Sequence, residues 1–386
     1  MTRVSSQQLL KSINQQKVLH LIFNEGPITR VELAQRTGLT QQTVTNVVKR
    51  LMQESLVSEG GTVPGRGGGK PIPLMVNSSR LYAIGIEVAV KYVRGTLVNF
   101  HNEVIGESRV DNEINKHEEQ TLDYVRQVVR ELLGILPDHE RLYGIGCSVQ
   151  GLVDAKQGVV IRSPGLAWRN FPLREKLQHE FGFPLFIEND VNLMATIENQ
   201  QGLLSGAVNS LIFKMDYGIG GAIIFGNQLY PGASHVAGEF GHFKTFTGED
   251  ALPCHCGGRG CLTTLASISG LKGNKKLSLN EFNRKVRDCD AEACELYALI
   301  SKGIGLALCN LVAFLNPDHI LLAGKLIETL GDLLIPELQR ELKESVPESC
   351  RNVRLLHVQQ EVNEAKLAAG LVMKHFFEVP VDSLAL

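Results

Sequence analysis

The feature that most constrains this chain is a glycine-rich turn crowded with thiols, Cys254-His255-Cys256-Gly257-Gly258-Arg259-Gly260-Cys261, with His242 twelve positions before its first cysteine. Thiolates and imidazole form the soft donor set that tetrahedral zinc prefers, and four protein ligands make a closed, structural site. The expected ligands are His242, Cys254, Cys256 and Cys261 around a structural Zn2+. His255 is a rival fourth ligand, although its place between two ligating cysteines tends to turn its ring away. With no open coordination position, activation of water by the metal is not expected. Cys147, Cys289, Cys294, Cys309 and Cys350 are scattered in apolar or helical context and read as buried free thiols. Cysteine usage of this kind suits a reducing compartment better than a disulfide framework.

A chain of 386 residues is long enough for two or three domains, and its net charge of −2 names no partner. The distribution of charge does. Residues 1–75 carry nine Lys or Arg against four Glu, while the rest carries 30 basic and 37 acidic side chains. A basic head on an acidic body is expected when only the head meets a polyanion. There is no run of eighteen apolar residues and no signal-like start, so no membrane insertion and a cytoplasmic location are expected.

In the head, Val18, Leu19, Ile22 and Phe23 fall at helical spacing before Gly26-Pro27. Thr29 and Glu32 form a capping-box pattern that opens a short helix with Val31, Leu33 and Ala34, ending at Gly38. Thr40 then starts a second helix with Val44, Val47, Val48 and Leu51 on one face. Two short helices joined by a glycine turn make a helix-turn-helix. The polar face of the second carries Gln41, Gln42, Thr43, Thr45 and Asn46, residues that read base edges, and Lys49 and Arg50, which reach phosphate. Strand-like Leu56–Glu59 and Ile72–Val76 flank a glycine-rich segment with Arg66 and Lys70. That segment reads as a hairpin wing whose basic tip follows the DNA backbone or minor groove, or as a solvated linker.

Beyond residue 77, strand and helix patterns alternate in two halves: strands at 82–88, 93–100, 142–149 and 185–188, a helix at about 118–136, then strands at 210–215, 221–225 and 319–324 with long helices between. This is an α/β body with a cleft expected between lobes of roughly 78–190 and 191–386. The run Glu188-Asn189-Asp190 closes a strand where α/β sheets hold ligands, so Asn189 and Asp190 can bind hydroxyls. The alternative is that Asn189-Asp190 caps the following helix.

These residues, with Trp168-Arg169-Asn170-Phe171-Pro172-Leu173, Gly238-Glu239-Phe240-Gly241-His242 and Asn316-Pro317, resemble the ROK proteins (repressors, open reading frames and kinases) along nearly the whole chain. The likeness is strongest to the branch of xylose and N-acetylglucosamine repressors. The resemblance implies a winged helix-turn-helix (residues 1–77) on an actin-like, ribonuclease H-like two-lobed sugar-kinase fold (78–386). It implies that Asn170, Asn189, Asp190, Glu239 and His242 bind a sugar or sugar phosphate, with Asp190 the vestige of a kinase base. It also implies operator DNA, a homodimer or homotetramer, and, in some members, a sugar-transport protein as partners. Where kinases of the family carry Asp-x-Gly-Gly-Thr, this chain has Glu87-Val88-Ala89-Val90-Lys91, and where they carry Gly-Thr-Gly-x-Gly-Gly it has Asp216-Tyr217-Gly218-Ile219-Gly220-Gly221. Two added β-carbons and a carboxylate oppose phosphate, so a sensor rather than an enzyme is expected. The rival reading is a sugar kinase with a DNA-binding appendage.

Overall fold

The computed structural model describes residues 6–60, 72–77, 81–111, 118–136, 142–163, 165–358 and 362–377. They form two compact units. One comprises the described residues up to 151, with 155–188 and 364–377; the other comprises 152–154 and 189–363.

The first unit begins with helices Ser6–Glu25, Arg30–Thr37 and Gln41–Gln53. The Thr29 side chain accepts from the Glu32 amide, Glu32 reaches back to Thr29, and Gly38 closes the helix with φ 71°. Thr40 caps the third helix, which buries Val44, Val47, Val48 and Leu51 as its spacing requires. Leu33 and Ala34 also face the core, whereas Val31 is 49% exposed. Strands Val57–Glu59 and Leu74–Val76 pair antiparallel, Val57 opposite Val76, as the base of a hairpin wing. Arg66 and Lys70 lie outside the described residues.

A five-stranded sheet follows, in the order Leu185–Asn189, Leu142–Val149, Tyr82–Val88, Tyr92–Asn99, Val104–Asp111. Tyr82–Val88 runs antiparallel to Tyr92–Asn99 and parallel to Leu142–Val149. Helix Glu364–Phe377 packs against the two central strands, and Gly85 and Gly146 permit it: a methyl at either would strike the Ala365 or Ala368 carbonyl. The head shares one apolar cluster with this sheet and helix, from Val18, Leu51 and Leu74 to Phe100, Val372 and Met373.

The second unit repeats the topology, with strand order Gln228–Leu229, Ile219–Phe225, Ser210–Met215, His319–Ala323, Arg354–His357. Ser210–Met215 is antiparallel to Ile219–Phe225 and parallel to His319–Ala323. Helices Ala291–Leu315 and Lys325–Ser345 cover this core. Ala291–Leu315 is long and apolar enough to cross a membrane, a property an uninterrupted-run criterion overlooks. Its Ile304, Ala307, Leu308 and Val312 are instead fully buried in the unit's core. Of the scattered cysteines, Cys147 and Cys309 are buried as expected, Cys294 and Cys350 are half-buried, and Cys289 is exposed. Cys289 sits in a left-handed turn (φ 57°) just past helix Leu279–Arg287, which carries it out of the core.

Candidate metal, sugar and nucleic-acid sites

The thiol turn and the Gly238–His242 loop converge within the second unit. Gly238 (φ 95°) lies so close to Gly221 that a side chain at either would collide with the other segment. Phe240 anchors the loop by stacking on Phe213, centroids 4.6 Å apart. This leaves Glu239 exposed just before the 3-10 turn Phe240–His242 and His242 half-buried at its end. At the cysteine turn, Cys254 N donates to Gly258 O and Gly257 takes φ 88°, folding the three thiols toward one point.

The donor atoms of His242, Cys254, Cys256 and Cys261 all lie within 4.8 Å of one another. Cys256 Sγ is 3.6 Å from Cys261 Sγ, and Cys254 Sγ is 3.5 Å from His242 Nδ1. A tetrahedron with metal–sulfur bonds of about 2.3 Å has edges of about 3.8 Å, so the spacing fits a metal ion. His255 Nδ1 stands 3.8 Å from Cys254 Sγ, at the margin of the cluster. Desolvation lowers the His242 pKa, with Lys244 adding to the effect, and so favours the neutral imidazole that binds metals. Burial pushes the Cys254 thiol up to about 11, whereas the Gly258 amide donating to Cys256 Sγ lowers that thiol.

His242 Nε2 faces the Glu239 carboxylate at 3.5 Å, so one ring touches both the thiol cluster and a sugar-ligand candidate. Desolvation raises the Glu239 pKa, opposed by His255. Asn189 Oδ1 accepts from Val191 N at 2.9 Å and Asn192 N at 3.0 Å, capping helix Asp190–Gln201. The capping reading is therefore realised, and Asn189 Nδ2 donates to Asp190 Oδ1 at 3.0 Å. The buried Asp190 carboxylate receives Lys214 Nζ at 2.7 Å through Oδ2. Lys214 was not singled out from sequence, because one lysine in the strand Ser210–Met215 carries no local signal. Asn170 lies in the first unit, exposed in strand Trp168–Phe171 at φ 47°.

The segment that replaces the phosphate loop is closed by its own side chains. Buried Glu87 accepts from Tyr92 Oη at 2.7 Å and from Arg94 Nε and Nη2 at 2.8 and 2.6 Å. Val90 N points to Gln150 Oε1 at 3.4 Å, and the Val90 side chain fills the space beside Gly165. In the second segment Asp216 Oδ1 accepts the Tyr217 amide at 2.8 Å, occupying a donor that a phosphate would need.

On the third helix of the head, Gln41, Gln42, Thr45, Asn46 and Lys49 are exposed and Thr43 half-buried. Thr43 Oγ1 bonds Thr40 Oγ1, Thr45 Oγ1 donates to Gln41 O, and Gln42 meets Asn46 at 3.5 Å. Arg50 lies differently. It is half-buried and borders an open cavity of about 500 Å³ with Gln15, Glu54, Tyr143 and Phe376. Arg30 and Arg36 pair with Glu59 and Glu25, which reduces the free positive charge of the head.

Such a head, and a duplicated α/β body with a thiol–histidine cluster, define the class: a helix-turn-helix protein with an actin-like body of the sugar-kinase type. The chain belongs to the ROK family, whose profile matches residues 83–372. The MarR family profile matches residues 11–58, the helix-turn-helix. The xylose repressor of Bacillus subtilis (strain 168) is 30% identical over 385 residues, covering 97% of this chain and 99% of that protein. A ROK family transcriptional regulator, homologous to the Escherichia coli MLC protein, shares the fold with a TM-score of 0.80 at 21% identity, covering 96% of this chain and 98% of that one. The ROK hexokinase of Thermus thermophilus matches with a TM-score of 0.59 at 24% identity, over 76% of this chain and 97% of its own.

Proposed function

We propose that this protein is a sugar-responsive transcriptional repressor: residues 1–77 bind operator DNA, and residues 78–386 sense a carbohydrate without phosphorylating it. The observation that carries this reading is the third helix of the head. Its apolar face is spent on the core, while Gln41, Gln42, Thr45, Asn46 and Lys49 remain exposed on a rigid, capped element. Amides in that position pair with adenine, and the lysine supplies phosphate contact. The full-length likeness to a xylose repressor supports a carbohydrate as the signal. Operator half-sites related by two-fold symmetry call for a homodimer or homotetramer. A protein acting on chromosomal DNA works in the cytoplasm, and a sugar-transport protein is a second candidate partner.

In the sensor, Asn170, Asn189, Asp190, Glu239 and His242 offer donors and acceptors for sugar hydroxyls. Asp190 is engaged by Lys214 through Oδ2 and by Asn189 Nδ2 through Oδ1, which holds the carboxylate in place as a hydrogen-bonding group. Glu87 is consumed by Arg94 and Tyr92, which argues against a nucleotide at that loop. His242, Cys254, Cys256 and Cys261 would hold a zinc ion. Bound there, it supplies structural cross-linking of the cysteine turn to the Gly238–His242 loop. His242 then keeps Glu239 oriented toward ligand through Nε2.

The test is a titration of promoter DNA with the full chain. Specific binding that falls steeply with salt supports the reading, whereas turnover of a sugar with magnesium-ATP at ordinary kinase rates overturns it.

A further inference from the structure

We propose that Lys244 is a built-in charge partner of the thiol cluster, a positioning residue that sets how tightly the cluster holds its metal and how reactive its cysteines are. The inference rests on the metal reading above. Lys244 Nζ lies 2.7 Å from Cys261 Sγ and 4.0 Å from Cys256 Sγ.

Two further observations show that the position is constructed. The backbone of residue 244 pairs with that of Cys261 as an antiparallel bridge, flanked by Leu262 N donating to Phe243 O and by Thr245 N donating to Gly260 O. This register fixes Lys244 beside the last cysteine. Gly258, for its part, leaves the room that the ammonium uses: a β-carbon there would stand 2.6 Å from Lys244 Nζ and 3.5 Å from Cys256 Sγ.

The chemistry follows from charge. Three thiolates, a neutral imidazole and a divalent cation sum to one negative charge, which an adjacent ammonium cancels. In the metal-bound cluster an N–H donor aimed at a ligating sulfur withdraws electron density from it, so that sulfur is a poorer nucleophile toward alkylating and oxidising agents. Lys244 and the Gly258 amide supply two such donors to Cys261 and Cys256.

The experiment uses the full chain loaded with Zn2+ or Co2+, in competition with a chromophoric chelator. Lys244→Met is expected to weaken zinc by about 10- to 100-fold, the range for losing an outer partner of a metal ligand. The thiolate-to-cobalt charge-transfer band should move to lower energy, and alkylation of Cys256 and Cys261 should quicken. Lys244→Arg should restore all three. Gly258→Ala, which crowds the ammonium while keeping it, should shift them in the same direction. Unchanged metal affinity, band position and alkylation in Lys244→Met overturn the role of Lys244 and leave the metal site standing. Failure of the wild-type chain to take up either ion overturns the metal reading itself.

Discussion

Lys214 Nζ and Asp190 Oδ2 are 2.7 Å apart, with side-chain exposures of 7% and 10%. A buried pair of this kind adds little net stability, but removing one partner strands the other charge in a poor solvent. Lys214→Met should therefore destabilise the protein by about 3–5 kcal/mol. Asp190→Asn in the same chain should recover most of that loss. Urea unfolding of the two single variants and the double variant gives the coupling directly, and strictly additive effects would mean the two groups do not act as a pair.

The capping box makes a smaller and pH-dependent prediction. Thr29→Ala should cost about 1 kcal/mol through the lost cap. Glu32 has its pKa lowered chiefly by the Thr29 backbone N–H, with the Thr29 hydroxyl assisting. A lowered folded-state value means the contribution is complete above the ordinary glutamate range and disappears as pH falls through the folded value. Thermal unfolding should therefore show the Thr29→Ala deficit at every pH, whereas wild type and Glu32→Gln should differ at neutral pH and converge in acid.

The recognition helix predicts two distinguishable kinds of defect. Gln42→Ala or Asn46→Ala should lose about 1–3 kcal/mol of operator affinity and relax preference at one base position. Lys49→Ala should weaken all sequences alike and reduce the salt slope by about one. Arg50→Ala should have the smallest effect on DNA, because its side chain lines the cavity with Tyr143 and Phe376. Binding isotherms against point-substituted operators separate these cases.

At the packed sheet, Gly85→Ala should destabilise the first unit by about 3 kcal/mol, since the new methyl meets the backbone of helix Glu364–Phe377. Denaturant unfolding measures it, and a neutral result would mean that the helix is less tightly seated than the geometry requires.

Legibility in the sequence followed the reach of the interactions. The head was readable because its signals are local: Thr29 with Glu32, Gly38, Thr40 and the Val44–Leu51 stripe each act within one helical turn. The thiol cluster was readable because its donors are chemically distinctive and His242 lies close in sequence. Strand Val104–Asp111 was missed because it is an edge strand whose side chains are mostly exposed, so no apolar alternation marks it. Lys214 beside Asp190, Lys244 beside Cys261 and Arg94 beside Glu87 were also missed. Each depends on strand or loop register, and an isolated lysine or arginine gives no local hint of its partner. Asn189 shows the converse: its place at a strand end suggested a ligand, and its acceptor oxygen is used as a helix cap.

The most direct test of the central claim is fluorescence anisotropy of the full chain with its own promoter region, with and without a panel of sugars. The expected result is specific binding whose affinity falls steeply with salt and changes by about 5- to 150-fold on adding the cognate sugar. Equal affinity for promoter and unrelated DNA would contradict it.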